Sequence, residues 1–179
     1  MANTDTITTG KSAILAVDLG SVIGWATRGQ TNGVEGGSER FNHGSRLGRG
    51  IRFLRFKEWL DKIHREQGPF DRVFYEDVKR HLGTDAAHVY GGFLAVLAMW
   101  AEYRGVPYVG VPVGTIKKHA TGSGSAKKAD MIAAMTAAGF APQDDNHADA
   151  LALLLYGIAQ EKPRRTVPES ATVPDGEPF

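Results

Sequence analysis

The segment AILAVDLGS, residues 13 to 21, constrains the fold more than any other stretch of this chain. It is a short apolar run of strand-forming residues, broken by Asp18 and closed by a Gly-Ser turn. Such a run suits a strand buried within a sheet. The segments after it supply the neighbours that such a strand requires. VIGWATRG and TNGVEGGSERFNHG read as two further strands of a meander, with a turn at Gly29 to Gly33.

Helical periodicity follows from Arg46 to about Glu66, carried by Leu47, Ile51, Leu54, Leu60 and Ile63, with Trp59 off phase by one. Gly68-Pro69 ends it. DRVFYED (71 to 77) is a strand, residues 85 to 104 a mostly apolar helix stopped by Gly105, and PYVGVPV (107 to 113) the next strand. A short helix, a Gly/Ser loop, a second helix closed by Gly139 and a last helix from about Asp145 to Gln160 complete the pattern. This order predicts an α/β fold, a three-strand meander extended by parallel strands with helices on both faces.

With 179 residues, 42% of them hydrophobic, the chain is long enough for one cored domain, expected over residues 12–160. Residues 1–11 are polar and expected to be flexible. The tail, 161–179, holds four prolines and few apolar residues and is expected to be disordered. No stretch approaches the length of a membrane span and the first residues lack a signal-like apolar run, so a soluble cytoplasmic protein without membrane partners is expected. The absence of cysteine excludes disulfides, thiolate metal sites and cysteine nucleophiles.

Carboxylates end three of the apolar elements. Asp18 closes the first strand, Glu76 follows RVFY at the end of the fourth, and Asp149 lies in the last helix with Asp145 one turn before it. If strands one and four are neighbours, Asp18 and Glu76 project side by side and the helix supplies a third wall. Such a cluster repels itself unless cations hold it, and hard oxygen ligands suit Mg²⁺ or Mn²⁺. Two such ions can activate water and stabilise the leaving oxygen in phosphodiester hydrolysis. Each acid also has a plain structural reading: Asp144 or Asp145 as a helix N-cap, Asp18 as a strand-to-turn residue, Glu76 as a solvated strand end.

Basic residues are segregated from these acids. Tyr103 to Ala129 carries five Lys/Arg and no acid, and Arg40 to Lys57 carries six and no acid, although the net charge is only +1. A glycine-rich loop before a helix N-terminus, TGSGSA ahead of Lys127 and Lys128, suits phosphate. Acids at metals with basic walls are what a nuclease requires, though Arg46, Arg49, Arg52 and Arg55 would equally form a solvated helix face. The six histidines lack zinc-site spacing, and GKS at 10 to 12 lacks the upstream glycine of a P-loop.

Taken together, the motifs resemble Holliday-junction resolvases of the RuvC type, in the RNase H-like superfamily. ILAVDLGSVIGWA resembles the family's first strand and RVFYEDV the strand with its catalytic glutamate. IKKHATGSGSAKKADMIAAM is similar to its lysine-bearing DNA segment and NHADALALLLYG to its closing helix. The resemblance covers residues 12 to 160 in unbroken order. It implies an RNase H-like fold with Asp18, Glu76, Asp145 and Asp149 as catalytic, metal-binding residues and two Mg²⁺ or Mn²⁺ per site. It further implies DNA contacts from Lys117 and Lys128; Lys118, Arg46 and Arg49 are added from the basic stretches, and Lys79 from its place three residues after Glu76. Four-way junctions, forks and flaps are the implied DNA partners, with a homodimer for paired cuts.

Two departures matter. Where the family has Asp or His three residues before Asp149, this chain has Asn146, so either Asp145 takes over as ligand or Asn146 binds through its amide oxygen; Asp145 is preferred. Bacterial members carry a junction-wedging aromatic three residues after the catalytic glutamate, where this chain has Lys79, a trait closer to looser phage-type members. A flap, fork or single-strand nuclease, an RNase H, an actin-like ATPase (from DLGS…G) and an inactive DNA-binding protein stand as alternatives.

Overall fold

The computed structural model describes residues 11–30, 33–41, 48, 50–79 and 83–161. Three strands open the chain, β1 (Ile14–Asp18), β2 (Ile23–Arg28) and β3 (Val34–Glu39). Helix α1 (Ile51–Gln67), strand β4 (Arg72–Asp77), helix α2 (Thr84–Arg104) and strand β5 (Tyr108–Pro112) follow. Helices α3 (Val113–Thr121), α4 (Lys128–Ala137) and α5 (Asp145–Ala159) close the described part. Of the expected termini, 1–11 and 161–179, all but residues 11 and 161 lie outside it, as do Leu47, Arg46 and Arg49.

The strands form one sheet in the order β3-β2-β1-β4-β5. β1 pairs antiparallel with β2 and β2 with β3, whereas β1–β4 and β4–β5 are parallel. This is the mixed sheet expected, and it explains the composition of β1: a central strand covered on both faces is apolar at successive positions. Alternation then assigns its side chains. Leu15 and Val17, with Ile23 and Val73, pack against α1 and α2. Ile14 and Ala16, with Ala26, Phe74 and Val111, pack against α3, α4 and α5.

In α5, Ala148, Ala150, Leu151, Ala152, Leu153 and Leu154 are all buried. A helix that is apolar around most of its circumference must be enclosed, and this one lies on the sheet among α3 and α4. Its close seating depends on two glycines. A Cβ at Gly24 of β2 would fall 2.0 Å from the backbone oxygen of Asn146, and one at Gly157 would fall 2.6 Å from the ring of Phe74.

Leu60 and Ile63 enter the core as the periodicity of α1 predicts, whereas Leu54 does not. The described helix begins at Ile51, after Gly50, and buries Phe56, Leu60 and Ile63. Leu54 is 61% exposed. Phe56 enters the core because Phe41, Trp59 and Phe93 surround it with edge-on and stacked rings. The stops at Gly105 and Gly139 hold, with φ of 62° and 92°, a region that L side chains rarely adopt.

Candidate metal centre

Strand register brings the first two acids together. Val17 of β1 stands opposite Tyr75 of β4, so the next residues along the parallel pair, Asp18 and Glu76, are abreast. Asp18 shares a face with Ile14 and Ala16, and Glu76 with Phe74, the face that α5 covers. The third acid, Asp149, comes from α5. Ligand oxygens of Asp18, Glu76 and Asp149 lie within 4.8 Å of one another, and all three residues are half-buried. This converges as the strand-neighbour argument requires.

The backbone carrying Glu76 is tied down by a residue that the sequence reading passed over. Tyr90 of α2 is buried, donates its hydroxyl hydrogen to the Glu76 carbonyl at 2.9 Å and accepts from the Val78 N–H at 3.2 Å. Its signal in the sequence was faint, one hydroxyl within the apolar segment HVYGGF.

Burial and mutual repulsion dominate the electrostatics. The Asp18 carboxyl is pushed well above the usual range by burial and then by Glu76, Asp149 and Asp145. Burial, then Asp149, raises Glu76 from 4.5 to about 7, against an opposing pull from Lys117. Asp149 is raised by burial, with Lys117 again opposing. Carboxylates confined in this way favour either protonation or a bound cation. Three hard oxygen donors in reach of one point fit Mg²⁺ or Mn²⁺.

Asp145 stands at the edge of this group. It begins α5 and forms an ion pair with Lys128, whose hydrogen bond lowers the Asp145 pKa. Its charge still reaches Asp18 and Asp149. Asn146 lies where α5 crosses β2, its backbone oxygen over Gly24. Asp144 is the N-cap, accepting from the His147 N–H at 2.8 Å and from the Ser38 hydroxyl at 2.6 Å. His147 is buried, its Nδ1 accepting from the Gln143 N–H, and burial lowers its pKa. Its Nε2 faces Gly36 of β3. His147 is thus a packed polar residue at a helix end.

The basic residues divide. Lys117 donates to the Ala126 carbonyl at 2.8 Å while its charge acts on Glu76 and Asp149, so the same side chain braces the Gly/Ser loop and borders the acids. Lys128 borders them from the start of α4. Lys118, exposed, instead lines an open cleft with Thr115, His119 and Tyr156. Lys79 is exposed just past β4. Among the described residues no helix is long and apolar enough to cross a membrane.

No protein-family model matches the chain. Over 112 residues it is 37% identical to the crossover junction endodeoxyribonuclease RuvC of Rhodococcus opacus (strain B4), covering 58% of this chain and 56% of that protein. The same figures hold for the RuvC of Rhodococcus jostii (strain RHA1). The match thus spans little more than half the length of these curated relatives. Among solved structures, T. thermophilus RuvC in complex with Holliday junction substrate superposes with a TM-score of 0.67 at 19% identity, covering 83% of this chain and 96% of that one. A second Thermus thermophilus RuvC structure gives 0.64 at 21% identity, with 80% and 91% covered. The yeast mitochondrial Holliday junction resolvase Ydc2 gives 0.56 at 10% identity, with 83% and 80% covered. The chain has the fold of the RuvC resolvases, the RNase H-like α/β fold its motifs implied.

Proposed function

We propose that this chain is a divalent-metal-dependent endonuclease of the RuvC type that hydrolyses phosphodiester bonds in branched DNA. The convergence of Asp18, Glu76 and Asp149 within 4.8 Å carries this reading. These three residues, with Asp145 as the fourth carboxylate and Asn146 as its alternative, would hold Mg²⁺ or Mn²⁺, two per site. A metal held there would supply an activated water and charge stabilisation at the leaving oxygen. The protein's own contribution is to hold the carboxylates rigidly on two strand ends and a helix, with Tyr90 fixing the backbone at Glu76. Lys117 and Lys128, bordering the acids, position the phosphate backbone without reading sequence. Similarity to RuvC proteins supports this choice over an actin-like ATPase or an inactive binding protein.

A homodimer would supply two active sites for paired cuts. Met99 and Tyr103, one turn apart on α2, are 62% and 59% exposed and offer apolar surface for it. The exposed Lys79 favours a looser, fork- and flap-tolerant substrate range over strict four-way junction selectivity. A DNA-acting protein of this kind would work in the cytoplasm at the nucleoid. The test is Mg²⁺-dependent cleavage of labelled four-way, forked and linear DNA, with ATP hydrolysis as control. Cleavage of branched substrates that stops in EDTA is expected. Metal-independent cleavage, or ATP hydrolysis in its place, would overturn the reading.

A further inference from the structure

Lys128 occupies an unfavourable place for a helix. It is the first residue of α4, directly after the N-cap Lys127, where the helix dipole disfavours a cation. What compensates lies across the cleft: its ammonium group pairs with Asp145, and its charge also acts on Asp149 and Asp18. The pair is open to water, with the two side chains 78% and 29% exposed. Exposed pairs of this type are weak and readily exchanged. Four carboxylates (Asp18, Glu76, Asp149 and Asp145) therefore face two ammonium groups, Lys117 and Lys128. The two lysines are not equivalent. Lys117 is anchored by the Ala126 carbonyl at 2.8 Å, whereas the hydrogen bond described for the Lys128 ammonium is the one to Asp145.

We propose that Lys128 is an exchangeable counter-ion that couples metal loading to DNA binding. Without metal it neutralises Asp145. A divalent cation arriving at the carboxylates takes over that role and repels the ammonium, which turns to a DNA phosphate. The exchange rests on the metal-nuclease reading above and adds to it a thermodynamic linkage: metal and DNA each strengthen the other's binding through one side chain. Linkage of this kind is reciprocal, so both directions are measurable and must agree.

The experiment titrates the full chain with Mn²⁺ by calorimetry in the absence of DNA, for the unmodified protein, Lys128→Met, Lys128→Arg, Asp145→Asn and the Lys128→Met/Asp145→Asn double variant. Removing the competing ammonium should tighten Mn²⁺ binding about three- to tenfold. Lys128→Arg should behave as the unmodified chain, and the gain should vanish in the Asp145→Asn background. In parallel, four-way-junction affinity is measured in Ca²⁺ and in EDTA. The ratio of the two should be larger in the unmodified protein than in Lys128→Met. Unchanged or weaker Mn²⁺ binding in Lys128→Met, or a gain that persists without Asp145, would overturn the exchange while leaving the nuclease reading intact. An unmodified chain that shows the exchange yet cleaves no DNA would overturn the nuclease reading and leave the exchange. If the unmodified chain binds no Mn²⁺, both fail.

Discussion

At the level of single residues, the raised carboxylates make opposite demands on stability and on activity. Glu76 ionises with a pKa raised from 4.5 to about 7, and Asp18 and Asp149 are raised too. A group whose folded pKa exceeds its unfolded value stabilises the fold below the unfolded pKa and loses that contribution as pH rises through the folded one. Through Glu76 the metal-free protein should therefore lose stability between about pH 4.5 and 7, with Asp18 and Asp149 acting in the same direction, and Mg²⁺ should restore it. Melting curves in EDTA and in Mg²⁺ across that range check this. Glu76→Gln should raise metal-free stability at pH 8 by on the order of 2 kcal/mol, and Asp18→Asn should raise it too. Both should abolish cleavage, and full activity in either at saturating Mg²⁺ would contradict a role in holding metal. The first turn of α5 provides a second residue-level contrast. Asp144→Ala removes a cap and should cost about 1 kcal/mol of stability with little loss of activity. Asp145→Ala should cost far more activity. If Asn146→Ala is the inactive variant, the ligand is its amide oxygen.

Between elements, the critical contact is α5 over β2. Asp149 reaches the strand-borne acids because the helix lies close, and it lies close because Gly24 leaves room for the Asn146 backbone oxygen. Gly24→Ala places a Cβ where backbone already sits, so the N-terminal turn of α5 must move away. The expected cost is about 1–3 kcal/mol in stability. Calorimetric Mn²⁺ affinity should fall as well, because Asp145 and Asp149 travel with the helix. Normal metal binding in a folded Gly24→Ala variant would show that the cluster tolerates this displacement. Tyr90 is the corresponding tether on β4. Its two hydrogen bonds, to the Glu76 carbonyl and from the Val78 N–H, hold the strand end that presents Glu76.

For the whole molecule, substrate choice depends on how charge and shape are distributed around the centre. Lys79 stands at the position where the resemblance to RuvC-type resolvases implies an aromatic wedge, and base–aromatic stacking is worth about 1–3 kcal/mol per base. A lysine has no π-face and interacts with phosphates that every branched DNA presents. Forks, flaps and three-way junctions should accordingly bind within about tenfold of four-way junctions, a gap of about 1.4 kcal/mol. Lys79→Phe should shift preference towards four-way junctions. Competition binding in Ca²⁺ measures both. A preference above roughly a hundredfold in the unmodified chain, over 2.7 kcal/mol, would mean that dimer geometry selects the junction and that Lys79 contacts phosphate only.

Local pattern alone determined the order of elements, the buried character of β1, the glycine stops at Gly105 and Gly139, and the identity of the acids at the element ends. These are properties of neighbouring residues: apolar period, turn chemistry and the cost of leaving a charge beside an apolar run. The capping role of Asp144 was likewise legible, because a cap acts within three residues. The phase of α1 was not, since Leu54 and Phe56 both suit a helix and only the ring cluster around Phe41, Trp59 and Phe93 selects which enters the core. The Lys128–Asp145 pair, the tether from Tyr90 and the seating of α5 over Gly24 were also hidden. Each joins residues far apart in the chain, and their meeting depends on strand register and helix approach, which arise only when the sheet and its covering layers pack together.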